Sequence, residues 1–176
     1  RIIGINPFDE PNVAESKQNS KELLAQWKEE GEFSAGLAVA EDDGIAVYAD
    51  EDADWLFSGS RGSVHSFVRA FLDLTQPWDY MGILSYFHET DPRKVLLQEI
   101  RASLRERYKA ATTTGYGPRY LHSTGQIHKG GANNGVFLLL TADPSADLDI
   151  PQEWENFGVM HTDKGLGDFR ALNDKN

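Results

Sequence analysis

Tyr80-Met81-Gly82-Ile83-Leu84-Ser85-Tyr86-Phe87 is the stretch on which the fold turns. It is apolar and aromatic, with Pro77 before it and Asp91-Pro92 after it, so it reads as a strand bounded by chain breakers. Asp91 as N-cap and Pro92 at the first helical position then open a helix predicted to run to about Ala110. Its expected buried face is Val95, Leu96, Ile100 and Leu104, with Arg101, Arg105 and Arg107 mostly turned to solvent. A polar, glycine-rich stretch follows from Thr112 to Gly135. Val136-Phe137-Leu138-Leu139-Leu140, the longest dense apolar run in the chain, then suits one buried strand ending at Thr141.

Working outward, Ser63 is placed to cap a helix through Leu74, with Val64, Phe67, Val68, Phe71 and Leu72 repeating at helical spacing as a core stripe. Ile45–Ala49 alternates weakly and reads as a strand, and Trp55–Phe57 as a second, short one. Ile2–Ile5 reads as a short buried strand stopped by Asn6-Pro7. A helix is expected from about Val13 to Glu30, with Leu23, Leu24 and Trp27 on one face and Gly31 ending it. A short helix from Asp163 to Leu172 closes the chain. Strands thus alternate with helices, which favours an α/β fold with a mostly parallel sheet flanked by helices on both sides. No internal repeat or low-complexity linker divides residues 1–176, which read as a single domain.

Composition narrows the function. The chain has 176 residues, enough for one sizeable core or a piece of a larger domain, and no apolar run approaches the length of a membrane span. Cysteine is absent, which removes disulfides, zinc-thiolate sites and thiol nucleophiles and fits a reducing compartment. With 28 acidic against 17 basic residues the net charge is -11. Seven of the carboxylates fall between Glu41 and Asp54 with no basic residue among them, a segment that repels phosphate backbones and argues against nucleic acid. The opening Arg1-Ile2-Ile3-Gly4, without methionine, is expected of a fragment or a processed chain.

Two stretches hold more polar and backbone-special residues than packing requires. The first, Asn6 to Lys17, follows a predicted strand and so lies at the carboxyl edge of a sheet, where open α/β folds bind ligands. The amides at the start of the next helix favour an anion there, and Lys17, about one turn in, can lean toward the same crevice. On spacing alone Lys17 also fits a surface lysine. The second, Gly115 to Gly131, carries His122, His128, Arg119, Lys129, hydroxyls and five glycines. That mixture suits close backbone approach to a polar ligand with proton transfer near neutral pH. A metal held by His122 and His128 is the rival, disfavoured because no carboxylate accompanies them within the stretch. His65, His88 and His161 read as structural or surface residues, and no Walker-type loop or GxSxG elbow is present.

Both stretches resemble segments of phosphoglucose isomerase. Asn6-Pro7-Phe8-Asp9-Glu10-Pro11-Asn12-Val13 through Lys17 is similar to the family's N-(P/S)-F-D-Q-x-x-V-x-x-x-K segment, with Lys17 at the active-site lysine. Glu10 stands where the family has a glutamine, which leaves its substrate-binding role open. His122-Ser123-Thr124-Gly125-Gln126 resembles the segment H-S-x-G-Q, whose histidine helps open the sugar ring. The string from Gly117-Pro118-Arg119 to Gly131 is closest to the branch fused behind a transaldolase, in which the lysine segment precedes the histidine segment as it does here.

The resemblance implies a sugar-isomerase (SIS)-like three-layer sandwich, forming the C-terminal domain of a larger cytoplasmic enzyme. It implies interconversion of glucose 6-phosphate and fructose 6-phosphate without a metal or organic cofactor. His122 and Lys17 would serve ring opening as acid and hydroxyl partner. The glutamate base that moves the proton between carbons is expected upstream of residue 1. A homodimer with a shared active site follows from the family, in which the histidine reaches across from a neighbouring subunit. The rival from another class is a non-catalytic sugar-phosphate-binding or assembly domain of a transaldolase fusion protein.

Overall fold

The computed structural model describes residues 6, 11–31, 33, 38–49, 63–143 and 146–174. The strands expected at Ile2–Ile5 and Trp55–Phe57, and Glu10, lie outside the described residues. Helix α1 spans Pro11–Glu30, followed by strands β1 (Ala40–Asp42) and β2 (Ile45–Val47) and helix α2 (Val64–Leu72). Then come β3 (Tyr80–Tyr86), α3 (Asp91–Tyr108), β4 (Ala111–Tyr116), a 3-10 turn (Arg119–His122), α4 (Gly125–Gly130), β5 (Gly135–Thr141) and α5 (Phe157–Asn173).

β3 is the central strand of a parallel sheet in the order β4-β3-β5, with Ile83 beside Thr114 on one side and Leu138 on the other. Helices cover both of its faces, so this is an α/β fold in which β3 from Met81 to Tyr86 is buried throughout. That is why the strand is apolar almost without interruption. Side chains alternate between the layers. Met81 and Ile83 join Leu72 of α2 and Leu97 and Leu104 of α3 in one cluster; Leu84 and Tyr86 join Tyr120, Leu121 and Leu172 of α5 in another. β5 obeys the same alternation, Leu138 facing the first cluster and Phe137 and Leu139 the second. α1 lies outside, packed along α5.

Four expectations need correction. In α3 the cap is Thr90, whose hydroxyl accepts from the Arg93 amide at 3.4 Å, with Asp91 one place inside the helix. The buried line of that helix is Leu97, Ile100 and Leu104, while Val95 and Leu96 are 58% and 55% exposed. Val95-Leu96-Leu97 is a run of three apolar residues, so its phase is ambiguous until the i, i+3, i+7 positions are matched to the sheet. The polar, glycine-rich stretch from Thr112 to Gly135, for which the sequence pattern predicts no strand, opens within strand β4, whose three consecutive threonines suit a pleated surface. Finally, α5 starts at Phe157 rather than Asp163, capped by Asn156, whose side chain accepts from the Val159 amide at 2.8 Å. Gly158, Gly165 and Gly167 lower the intrinsic helix propensity of this segment and hide its start.

Other elements match their expected types with small shifts at the ends. Ser63 caps α2, accepting from the Ser66 amide, but the helix stops at Leu72. The strand expected over Ile45–Ala49 ends at Val47 and is half of a hairpin with Ala40–Asp42, turned by Asp43-Gly44, where both φ angles are positive.

Candidate functional site

Three helical pieces bring the two polar stretches together. β4 ends at Tyr116, at the carboxyl edge of the sheet, and the chain passes into the 3-10 turn that carries Arg119, Tyr120 and His122. α4 then runs back past the start of α1. There the Asn12 amide donates to Gln126 Oε1 at 3.2 Å, and Gln126 Nε2 donates to Asn12 Oδ1 at 2.8 Å. The pairing depends on Gly130, because a β-carbon at that position would collide with the side chains of both Asn12 and Gln126. Residues 114 positions apart in sequence are thereby fixed to one another.

His122 and Lys17 are both exposed, and among the described residues neither side chain makes a hydrogen bond or an ion pair. Lys17 lies five residues beyond Asn12 on α1, about 7.5 Å along the helix axis. His122 lies four residues before Gln126. The structure therefore joins the two segments within one chain but makes no direct contact between the two predicted side chains. Arg119 is anchored through an ion pair with Glu89, which Lys94 also reaches at 3.3 Å. The two cations hold the Glu89 carboxyl below its usual range.

The second histidine of the stretch has a different setting. His128 is 8% exposed, ringed by Tyr80, Tyr120 and Phe137, with Nδ1 2.8 Å from the Tyr80 hydroxyl. Burial, reinforced by the neighbouring Lys129 ammonium and opposed by Asp168, pushes its pKa down to about 4. It is neutral at physiological pH and part of the core, so the two histidines do not share a site.

Sequence reasoning missed the polar group beneath the 3-10 turn. Asp168 of α5 is enclosed: Tyr86 and Tyr120 both donate their hydroxyls to Oδ2, and Lys129 donates to Oδ1. The Lys129 and Asp168 side chains are 0% and 1% exposed. Burial first, then the Asp168 charge, raises both tyrosine hydroxyls far above their ordinary range, so they remain donors at any physiological pH. Gly117 passes so close to the Tyr86 ring that no β-carbon fits between them. The sequence signal in α5 was slight: Gly165 and Gly167 stand near Asp168, and a β-carbon at Gly165 would meet Tyr86 and Thr141 only at ordinary contact distance.

Further along α5, Asp163 is also fully buried, with the Ser20 hydroxyl of α1 beside it and Lys164 Nζ 3.0 Å from Oδ2. Burial raises its pKa above the usual carboxyl value. Among the described residues no three His, Asp or Glu side chains converge as a metal site would require, and no helix is long and apolar enough to cross a membrane.

No protein-family model matches the chain, and no curated protein sequence does. Among solved structures, the chain is similar to the crystal structure of a hypothetical protein from Thermus thermophilus. The likeness has a TM-score of 0.55 at 14% sequence identity, over 70% of this chain and 34% of the other. It concerns the path of the backbone and supports the α/β assignment alone. The match spans about a third of that protein's length.

Proposed function

We propose that this chain is a SIS-like α/β domain supplying His122 and Lys17 to the active site of an aldose–ketose isomerase acting on glucose 6-phosphate and fructose 6-phosphate. The observation that carries the reading is the reciprocal Asn12–Gln126 pairing, which draws the lysine segment and the histidine segment into one neighbourhood. The two segments read separately in the sequence are thus neighbours, which supports the reading. The exposure of His122, in contrast to the enclosed His128, suits a group that must exchange protons with a substrate.

The chemistry assigns the roles. Ring opening needs an acid at the ring oxygen, for which His122 is the candidate, and a partner for the sugar hydroxyl, for which Lys17 is the candidate. The carboxylate that moves the proton between C1 and C2 belongs to a segment outside this chain. A cytoplasmic homodimer belongs to the same reading, but the intrachain Asn12–Gln126 pairing sets the histidine and lysine segments of one chain together and so argues against a histidine supplied across the interface. Glu10, within the lysine segment, is the substrate-binding candidate of this reading.

The test is turnover of the full-length polypeptide that contains this chain. His122→Ala is expected to lower turnover on cyclic substrate by about 10²–10⁴, with the loss shrinking when open-chain sugar phosphate is supplied. Lys17→Ala is expected to impair both substrates, because a cation near the reacting oxygens also stabilises the enediolate. Wild-type turnover in both variants overturns the reading.

A further inference from the structure

We propose that Asp168 is a positioning residue for His122, acting through Tyr120 to hold the 3-10 turn in one geometry. The inference rests on the reading of His122 given above, but its structural half stands on its own contacts. Tyr120 is the hub. Its hydroxyl donates to Asp168 Oδ2, while its backbone carbonyl accepts from the Ser123 amide at 3.0 Å and the Thr124 amide at 2.8 Å, with the Ser123 hydroxyl at 3.1 Å. The backbone on the C-terminal side of His122 is therefore bonded to the residue two places before it. The Leu121 amide donates to the Pro118 carbonyl at 3.1 Å and closes the other end of the turn.

The anchor is then tied to four elements at once. Asp168 comes from α5, Tyr86 from β3, Lys129 from α4 and Tyr120 from the turn itself. Tyr86 and Tyr120 also meet edge to face, with ring centroids 6.2 Å apart. A planar carboxylate offers about four lone-pair directions, and here two hydroxyls and one ammonium direct three donors at them. Moving the turn would strip a donor from a buried anion, so the site favours one placement. A catalytic acid gains from such preorganisation because a displacement of about 1 Å can cost roughly a hundredfold in rate. An exposed side chain with no partner among the described residues, as that of His122 is, obtains it through the backbone beneath it.

The experiment compares Tyr120→Phe with Leu97→Val, a core truncation on the opposite face of the sheet, in the full-length polypeptide. Amide hydrogen exchange is read at Leu121, His122 and Ser123 and at β3, together with kcat and KM. Tyr120→Phe is expected to speed exchange at the three turn amides at least tenfold over β3 and to lower kcat about tenfold with KM within twofold. Leu97→Val is expected to change neither selectively. Asp168→Asn, which keeps the shape and alters the acceptor set, is expected to repeat the pattern of Tyr120→Phe. Equal exchange and equal kcat in Tyr120→Phe and Leu97→Val overturn the proposal and leave the cluster as core packing. If His122→Ala leaves kcat unchanged, the isomerase reading fails by itself. Selective exchange at the turn would then still support the anchor, and its absence would still refute it.

Discussion

On the α3 face of the sheet, Met81 and Ile83 meet Leu72, Leu97 and Leu104 in an apolar cluster that holds no ion pair among the described residues, beside the buried hydroxyls of Ser85, Thr114 and Tyr116. On the α5 face, Leu84 and Tyr86 share their layer with Tyr120, His128 and the Lys129–Asp168 ion pair, all enclosed. The same strand thus serves two cores that differ in how they fail. Hydrocarbon contacts are weak, many and roughly additive, so one truncation costs in proportion to the volume removed. A buried charge network depends on every member, because removing one leaves another charged and desolvated.

The largest expected effect breaks the polar face. Asp168→Ala should lower unfolding free energy by about 3–5 kcal/mol, since it breaks an enclosed ion pair and removes the carboxylate that two buried tyrosine hydroxyls bond. Urea unfolding at neutral pH measures it, and the double variant Asp168→Leu/Lys129→Met should recover most of the loss. A loss below about 1 kcal/mol would erase the distinction between the faces. Next comes the apolar face, where Leu97→Ala should cost about 2–5 kcal/mol. Leu96→Ala, its exposed neighbour, should stay within about 0.5 kcal/mol. The reverse order would restore the helix phase read from the sequence and contradict the structure.

The contrast also explains what the sequence could disclose. β3, β5 and the two amphipathic helices of the α3 face follow from apolar periodicity, because hydrophobic burial is what those residues do. The phase of α3 was lost only where three apolar residues stand in a row. The α5 face is written in residues that periodicity scores as surface. Lys129 and Asp168 are the types least often enclosed, and their ion pair, with the two tyrosine hydroxyls on Asp168, helps make burial tolerable. That contact joins positions 39 apart, which no local pattern reveals. The candidate site divides the same way: His122 and Lys17 are proposed from their motifs, whereas the Asn12–Gln126 pairing and the Asp168 contacts needed the tertiary structure.

Acid should expose the same asymmetry more mildly. His128 has a folded pKa of about 4 against an ordinary 6.5, so between those values the unfolded chain binds the extra proton. Its contribution is therefore fully present above about pH 6.5 and is lost as the pH falls toward 4. The shift is worth at most about 3 kcal/mol at 1.36 kcal/mol per unit, and less after relaxation of the site. Replacing His128 with Phe should flatten this part of the stability profile, measured by urea unfolding between pH 4 and 7. An unchanged slope would place the acid sensitivity elsewhere.

The smallest expected effect separates two carboxylates on one helix. Asp168 has three donors, whereas Asp163 has Lys164 on Oδ2 and the Ser20 hydroxyl nearby, and its Oδ1 has no hydrogen-bond partner among the described residues. Burial raises the Asp163 pKa, so the folded chain holds a proton that the unfolded chain has released. Its contribution is complete below the ordinary carboxyl pKa of 3.8 and is lost as the pH rises through the higher folded value. At neutral pH the charge is therefore a cost, opposite in sign to the role of Asp168. Asp163→Asn keeps the shape, can still bond Ser20 and carries no charge, so it should stabilise the fold at pH 7 by about 1 kcal/mol or less. The same substitution at Asp168 should destabilise. Thermal unfolding of the two single variants in one buffer decides it. Destabilisation by both would mean that the α1–α5 contact uses Asp163 as an anion, and the two carboxylates would then be equivalent anchors rather than opposites.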